Sequence, residues 1–163
     1  MQAAVVGFLI RPNLSRRTFT ITTQQMHRLK QRIVSDLSPP PAAAPSSFVA
    51  VVALAWASFV RAKHPAGIFS ADDMDRLGWD WMDTVTRRAD MDRLVNVAGS
   101  TRFPEYEATD FGWGSPARTE LVTMNHDGQV VLVAGKGGVL QASVSLHPAH
   151  MDEYKSYFLS YLG

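Results

Sequence analysis

The sequence predicts an α+β domain, and three observations carry that reading. Glu120–Met124, Gln129–Ala134 and Val139–Leu146 are three strand-like runs, separated by Asn125-His126-Asp127-Gly128 and Gly135-Lys136-Gly137-Gly138. Connections of that composition make hairpins, so a three-stranded antiparallel meander is expected. Apolar stripes at helical spacing occur before and after the meander. The 163 residues are 46% hydrophobic and 19% charged, which allows one core of useful size and lies far from the signature of disorder.

The elements follow in order. Met1–Ile10 is apolar, without a cationic leader or a small-residue cleavage site, and reads as a strand of a larger sheet rather than a signal peptide. Thr18–Thr22 alternates, with Phe19 and Ile21 on one face of a half-buried strand. Thr22 and Gln25 have capping-box spacing and open a helix with Met26, Leu29, Ile33 and Val34 on one side. That helix ends before Pro39-Pro40-Pro41-Ala42-Ala43-Ala44-Pro45, a stiff extended linker. Ser46 or Ser47 caps the next helix, which runs to Lys63. Phe48, Val51, Val52, Leu54, Ala55, Trp56 and Phe59 make it apolar nearly all round, so burial on several sides is expected. His64-Pro65-Ala66-Gly67 breaks the chain, and Ser70 with Asp73 starts a helix over about 71–88 carrying Met74, Leu77, Trp81 and Val85. Residues 94–118 read as a loop-rich connection. After the meander, Pro148 opens a terminal helix with Met151, Tyr154, Phe158 and Tyr161 as its apolar stripe.

Composition and motifs exclude several functions. With no cysteine, disulfide frameworks and thiolate metal sites are ruled out. The net charge of +1 conceals an asymmetry: residues 1–66 hold eight Lys/Arg against Asp36, and residues 67–163 hold eight against 14 acids. These halves, +7 and −6, are expected to neutralise each other on folding; no aromatic-interleaved basic stripe points to nucleic acid. The longest apolar run, Phe48–Val60, is too short to span a bilayer, and the chain is expected in the cytoplasm with no membrane contact. Asp110-Phe111-Gly112 matches a kinase magnesium element, but no Gly-rich loop, strand lysine or His-Arg-Asp accompanies it. Asp73 and Asp75 resemble the start of a calcium loop, yet its fifth and twelfth positions are Leu77 and Thr84. His147 and His150 are three residues apart without a third ligand, and read as solvated histidines at a helix start; no metal site is expected.

Asp110-Phe111-Gly112-Trp113-Gly114, followed by Pro116, Arg118 and Glu120-Leu121-Val122, resembles the C-terminal signature of the plant BAHD acyl-CoA-dependent acyltransferases. Val97-Ala98-Gly99-Ser100-Thr101-Arg102-Phe103 is similar to the family's approach to that signature. Arg17-Thr18-Phe19, Ser46-Ser47-Phe48-Val49-Ala50 and Arg61-Ala62-Lys63 resemble the segment joining its two domains. The anthocyanin and phenolic-glucoside malonyltransferase-like branch is the nearest. The resemblance spans two blocks, about 8–64 and 76–163, and implies part of a chloramphenicol-acetyltransferase-like fold, mainly its C-terminal domain. Residues 1–38 then end an N-terminal-domain-like segment, 39–45 are the linker, and 46–163 are C-terminal-domain-like with an internal deletion near 64–76.

The resemblance implies transfer of a malonyl, acetyl or hydroxycinnamoyl group from acyl-CoA to a hydroxyl of a phenolic compound or its glycoside. In the family the histidine of a His-x-x-x-Asp motif takes the acceptor's proton. Here the residues four positions after each His are Gln31, Ile68, Val130, Met151 and Tyr154, so the motif is absent and no catalytic residue is assigned. The family's Tyr-Phe-Gly-Asn-Cys-like element is absent too. Asp110 to Gly114 is implied to be structural, with Asp110 paired to an arginine. Ser46, Ser47 and Lys63 resemble positions lining the CoA channel, where a helix N-terminus and a cation suit phosphate. An N-cap serine and a snorkelling surface lysine account for them equally well. Two readings of activity remain: an enzyme using a substitute base such as His126 or His147, or a truncated non-catalytic relative that binds CoA weakly or associates with a full-length homologue. Acyl-CoA would be a co-substrate, with no bound cofactor. Exposed surface on the helix at 47–63 would favour hydrophobic-dye binding, self-association or a broad melt, since each 100 Å² of wet apolar surface forfeits about 2.5 kcal/mol.

Overall fold

A computed structural model describes residues 13–63, 95–122, 124 and 126–163. The expected strand at Met1–Ile10, helix at 71–88 and calcium-loop residues at 73–84 lie outside them. In chain order the elements are β1 (Ser15–Ile21), α1 (Thr23–Asp36), α2 (Ser47–Lys63), β2 (Asn96–Ser100), the one-turn α3 (Glu105–Ala108), β3 (Gln129–Ala134), β4 (Leu140–Leu146) and α4 (Pro148–Ser160).

Strand β4 is the centre of a four-stranded sheet ordered β1-β4-β3-β2. Its pairings with β1 (Ser15 opposite Leu146, Ile21 opposite Leu140) and with β3 (Gln129 opposite Ser145) are antiparallel. Leu140, Ala142, Val144 and Leu146 alternate onto one face, where they join Phe19 and Ile21 of β1 and Val130 and Leu132 of β3. Residues of α1, α2 and α4 close that face: Met26 and Leu29, then Val51, Leu54 and Phe59, then Met151, Tyr154 and Phe158. One core thus draws on both sides of the Pro/Ala segment. The opposite face of β4 is polar and covered by the chain between β2 and β3. There the Tyr106 hydroxyl donates to Gln141 Oε1 at 3.0 Å and accepts from Thr119 N–H at 3.0 Å, and the Thr18 and Ser143 hydroxyls bond at 2.9 Å.

Three expectations need correction. Residues 94–118 hold a strand and a helical turn, not only loop. Glu120–Met124 is not a strand among its described residues, so the meander has two of its three strands. Strand β2 pairs parallel with β3, Asn96 opposite Gln129 through Ser100 opposite Val133, and occupies the edge the first meander strand would have used. Val122, 86% exposed, has no sheet to lie against. Helix α2 is not buried all round: Ala50, Val51, Leu54, Ala55, Ser58, Phe59 and Ala62 form one buried stripe facing α4 and the sheet. Phe48, Val49 and Trp56 face outward at 37%, 54% and 42% exposure.

Local chemistry explains the elements that hold. Thr22 Oγ1 accepts from Gln25 N–H at 3.2 Å while Gln25 Oε1 accepts from Thr22 N–H at 3.0 Å, the reciprocal capping box. The β3–β4 connection is closed by Gly135 N–H to Val139 O at 2.8 Å, with Gly137 and Gly138 at positive φ. His147 caps α4, its Nδ1 accepting from Ala149 N–H at 3.3 Å.

Tyr154 carries a testable defect. It is fully buried against Phe19 and Phe158, and its hydroxyl has no hydrogen-bond partner among the described residues. Burial pushes its phenol pKa up, since the charged form is desolvated. Tyr154→Phe keeps the ring and removes the orphaned hydroxyl, so it should stabilise by about 1 kcal/mol and raise Tm by about 3 °C. A lower Tm in a circular-dichroism melt would mean the hydroxyl is bonded in solution.

Candidate functional site

A cavity of about 390 Å³ opens where β1 runs into α1, where α2 begins and where the β3–β4 turn crosses. Its walls are apolar, from Ile21, Met26, Val139 and Leu140; its polar lining comes from Thr23, Ser47, Thr101, Arg102 and Glu107. Each polar residue has a structural reason to be there. Thr23 is the first residue of α1, held by the capping box, and its Oγ1 donates to Gly138 O at 3.4 Å. Ser47 is the first residue of α2. Thr101 and Arg102 follow β2, whose parallel pairing with β3 carries the chain to the cavity. Glu107 stands on α3, anchored through Tyr106.

Two helix N-termini therefore point their first turns at one cavity. An α-helix leaves its first amides without intrahelical partners, and its dipole places partial positive charge at that end. The Arg102 guanidinium adds a full charge suited to bidentate contact with phosphate or carboxylate. The hydroxyls of Ser47 and Thr101 supply further donors, while the Thr23 O–H is directed at Gly138 O. In chemical terms the lining suits an anion that carries an apolar body, with the Glu107 carboxylate the one charge opposing it among the described lining residues. Among the described residues no histidine lines the cavity, and His147 Nδ1 is engaged as the α4 cap; Glu107 brings a carboxylate to the lining.

The sequence-predicted residues separate. Ser46 is the N-cap of α2, its Oγ accepting from Val49 N–H at 3.2 Å. Ser47 lines the cavity. Lys63 lies 16 residues along the same helix, about 24 Å away at 1.5 Å per residue, and does not line the cavity. Its Nζ instead bonds Asp127 Oδ2 at 2.9 Å with both side chains 6% exposed, so it is neither a channel cation beside Ser47 nor a snorkelling surface lysine. The Asp127 carboxylate also accepts from His147 N–H at 2.9 Å, joining the end of α2 to the start of α4. Asp110 does not meet an arginine among the described residues. Its Oδ1 accepts from the N–H groups of Gly112 and Gly114 at 2.8 and 3.1 Å, both glycines at positive φ, and closes a turn on itself. Arg118 pairs with Glu120. Thr23, Arg102 and Glu107 were not singled out from the sequence; Val95 and Val97 alternating into Gly99 was the signal for the strand that delivers Arg102.

No family model matches the chain. By sequence it is 39% identical over 69 residues to malonyl-CoA:anthocyanidin 5-O-glucoside-6''-O-malonyltransferase of Arabidopsis thaliana, covering 40% of this chain and 15% of that enzyme. It is 36% identical over 70 residues to anthranilate N-benzoyltransferase protein 1 of Dianthus caryophyllus, covering 42% and 15%. Agmatine coumaroyltransferase of Arabidopsis thaliana is 32% identical over 73 residues, covering 44% and 16%. By structure the chain is similar to vinorine synthase at a TM-score of 0.68 and 16% identity, covering 93% of this chain and 48% of that one. F. sporotrichioides TRI101, solved with coenzyme A and T-2, is similar at a TM-score of 0.58 and 14% identity, covering 91% and 50%. The chain thus spans about half the length of the solved structures it matches, and the aligned segments are a smaller share of the curated relatives.

Proposed function

We propose that this chain is a partial relative of the BAHD acyl-CoA-dependent acyltransferases it resembles, that its cavity binds the phosphate-bearing part of an acyl-CoA and that the chain by itself does not catalyse acyl transfer. The observation that carries this is the convergence of the α1 and α2 N-termini with Arg102 on one cavity. Ser47 and Thr101 supply donors to phosphate, Arg102 supplies the charge, and Ser46 holds the first turn of α2 in shape. Met26, Ile21 and Leu140 pack against the apolar portion of the ligand. The donor carries a malonyl, acetyl or hydroxycinnamoyl group, and the acceptor of the complete reaction is a hydroxyl of a phenolic compound or its glycoside; the match to an anthocyanidin glucoside malonyltransferase supports this. The Asp110–Gly114 turn is structural, fixing the chain that leads back to β3.

Proton removal by a positioned base contributes about 10²–10⁴-fold to such a reaction. The 163 residues hold no His-x-x-x-Asp, and among the described residues no histidine lines the cavity, which supports the non-catalytic reading.

Two measurements test the reading. Calorimetric titration should show saturable CoA binding weakened about tenfold by Arg102→Ala, a loss of roughly 1.4 kcal/mol, and less by Ser47→Ala, with Lys63→Met leaving affinity unchanged in the folded fraction. Thiol release from malonyl-CoA with a phenolic glucoside should stay at the uncatalysed rate. Saturable release abolished by His126→Ala or His147→Ala would instead establish the substitute-base enzyme.

A further inference from the structure

Two side chains of opposite charge, Arg102 and Glu107, line the cavity, and neither forms an ion pair with the other or with another described residue. Both are exposed. The guanidinium and the carboxylate therefore stand apart in one lining, and a ligand that enters meets both. The backbone under Glu107 is fixed. Ala108 N–H closes α3 on Pro104 O at 2.8 Å. The neighbouring Tyr106, 2% exposed, donates to Gln141 Oε1 of β4 at 3.0 Å and accepts from Thr119 N–H at 3.0 Å. These bonds hold the turn, and with it the carboxylate, at the cavity.

A bare anion is served badly by that lining. Arg102 and the two helix N-termini attract it, while Glu107 repels it. An ionised carboxylate only accepts hydrogen bonds, so Glu107 favours a ligand that carries an N–H or O–H near its anion. We infer, on the acyl-CoA reading of the site, that Glu107 determines its specificity: the ligand's anionic group lies on Arg102, and a hydrogen-bond donor of the same ligand lies on the Glu107 carboxylate. The 3′-phosphoadenosine end of CoA supplies that combination. Its ribose 2′-hydroxyl adjoins the 3′-phosphate, and its adenine carries a 6-amino group. At about 390 Å³ the cavity is near the lower end of the small-molecule range, sized for one end of a CoA. Glu107 thus turns a site for anions in general into a site for a phosphorylated nucleoside.

Calorimetric titration of the full chain with adenosine 3′,5′-bisphosphate and with inorganic pyrophosphate tests this, because the carboxylate acts with opposite sign on the two. Glu107→Ala should weaken the nucleotide about fivefold, since a charge-assisted hydrogen bond is lost. The same change should strengthen pyrophosphate about threefold, since a like charge is lost. Glu107→Gln keeps an acceptor without the charge; it should strengthen pyrophosphate equally and hold the nucleotide within about twofold of wild type. 2′-Deoxyadenosine 3′,5′-bisphosphate and inosine 3′,5′-bisphosphate each remove one donor. At least one should bind wild type about fivefold more weakly and no longer be weakened by Glu107→Ala, which identifies the donor. Unchanged circular-dichroism melts show the variants folded. Glu107→Ala strengthening both ligands, or neither analogue binding more weakly, would overturn the donor contact, while CoA binding that depends on Arg102 would leave the acyl-CoA reading standing. Wild type that binds neither CoA nor the bisphosphate would overturn both.

Discussion

Asp127→Ala should cost about 3–5 kcal/mol of stability, a large part of the roughly 5–15 kcal/mol that holds a domain together. The carboxylate is buried and bonds both Lys63 Nζ and His147 N–H. Removing it leaves an ammonium in a low-dielectric site and an amide at the start of α4 without its acceptor. The cost comes mostly from the uncompensated charge, since an intact buried pair gains little over an apolar one once both ions are desolvated. Lys63→Met should therefore be severe alone and much milder combined with Asp127→Asn, which removes the other charge. Urea unfolding of the four proteins of that cycle measures the coupling. Single substitutions that cost less than about 1 kcal/mol would place the pair at the solvated surface instead.

Gly99→Ala should be comparably damaging, by about 3 kcal/mol or more, and should also abolish the anion site. Gly99 has φ near +119°, and a Cβ there would stand 2.0 Å from the carbonyl oxygen of Leu132, a backbone atom of the strand it pairs with. The collision cannot be relieved by a rotamer. Strand β2 must leave β3, taking Thr101 and Arg102 from the cavity. Faster amide exchange at Val97 and Ser100, with loss of CoA binding, is the expected signature. Retained protection of β2 would mean the parallel pairing is looser than described.

These two residues also show where sequence reading stopped. The capping box at Thr22 and Gln25, the alternation of Leu140, Ala142, Val144 and Leu146, and the Met151–Tyr154–Phe158 stripe are local signals, and each became the expected element. The β2–β3 pairing is not local. Five residues interrupted by a glycine carry a weak strand pattern, and parallel pairing needs a partner some 30 positions away. Glu120–Met124 reads as a better strand, but a sheet edge accepts one neighbour and β2 holds it. The all-round apolar character of α2 was visible; which side would be buried was not, because α4 and the sheet chose it. At the site, Ser47 was legible as a helix start. Arg102 sits in a loop without periodicity, and the tie between Lys63 and Asp127 crosses 64 residues. The resemblance implies an arginine partner for Asp110, whereas among the described residues the amides of Gly112 and Gly114 bond its carboxylate.

Amide chemical-shift mapping during titration with CoA tests the central claim most directly, because it reports location and binding together. The account predicts progressive, saturable shifts at Thr23, Ser47, Val49, Arg102 and Gly138, with His147 and Asp127 unmoved. Absence of shifts, or shifts centred on His126, Asp127 and His147, would contradict it.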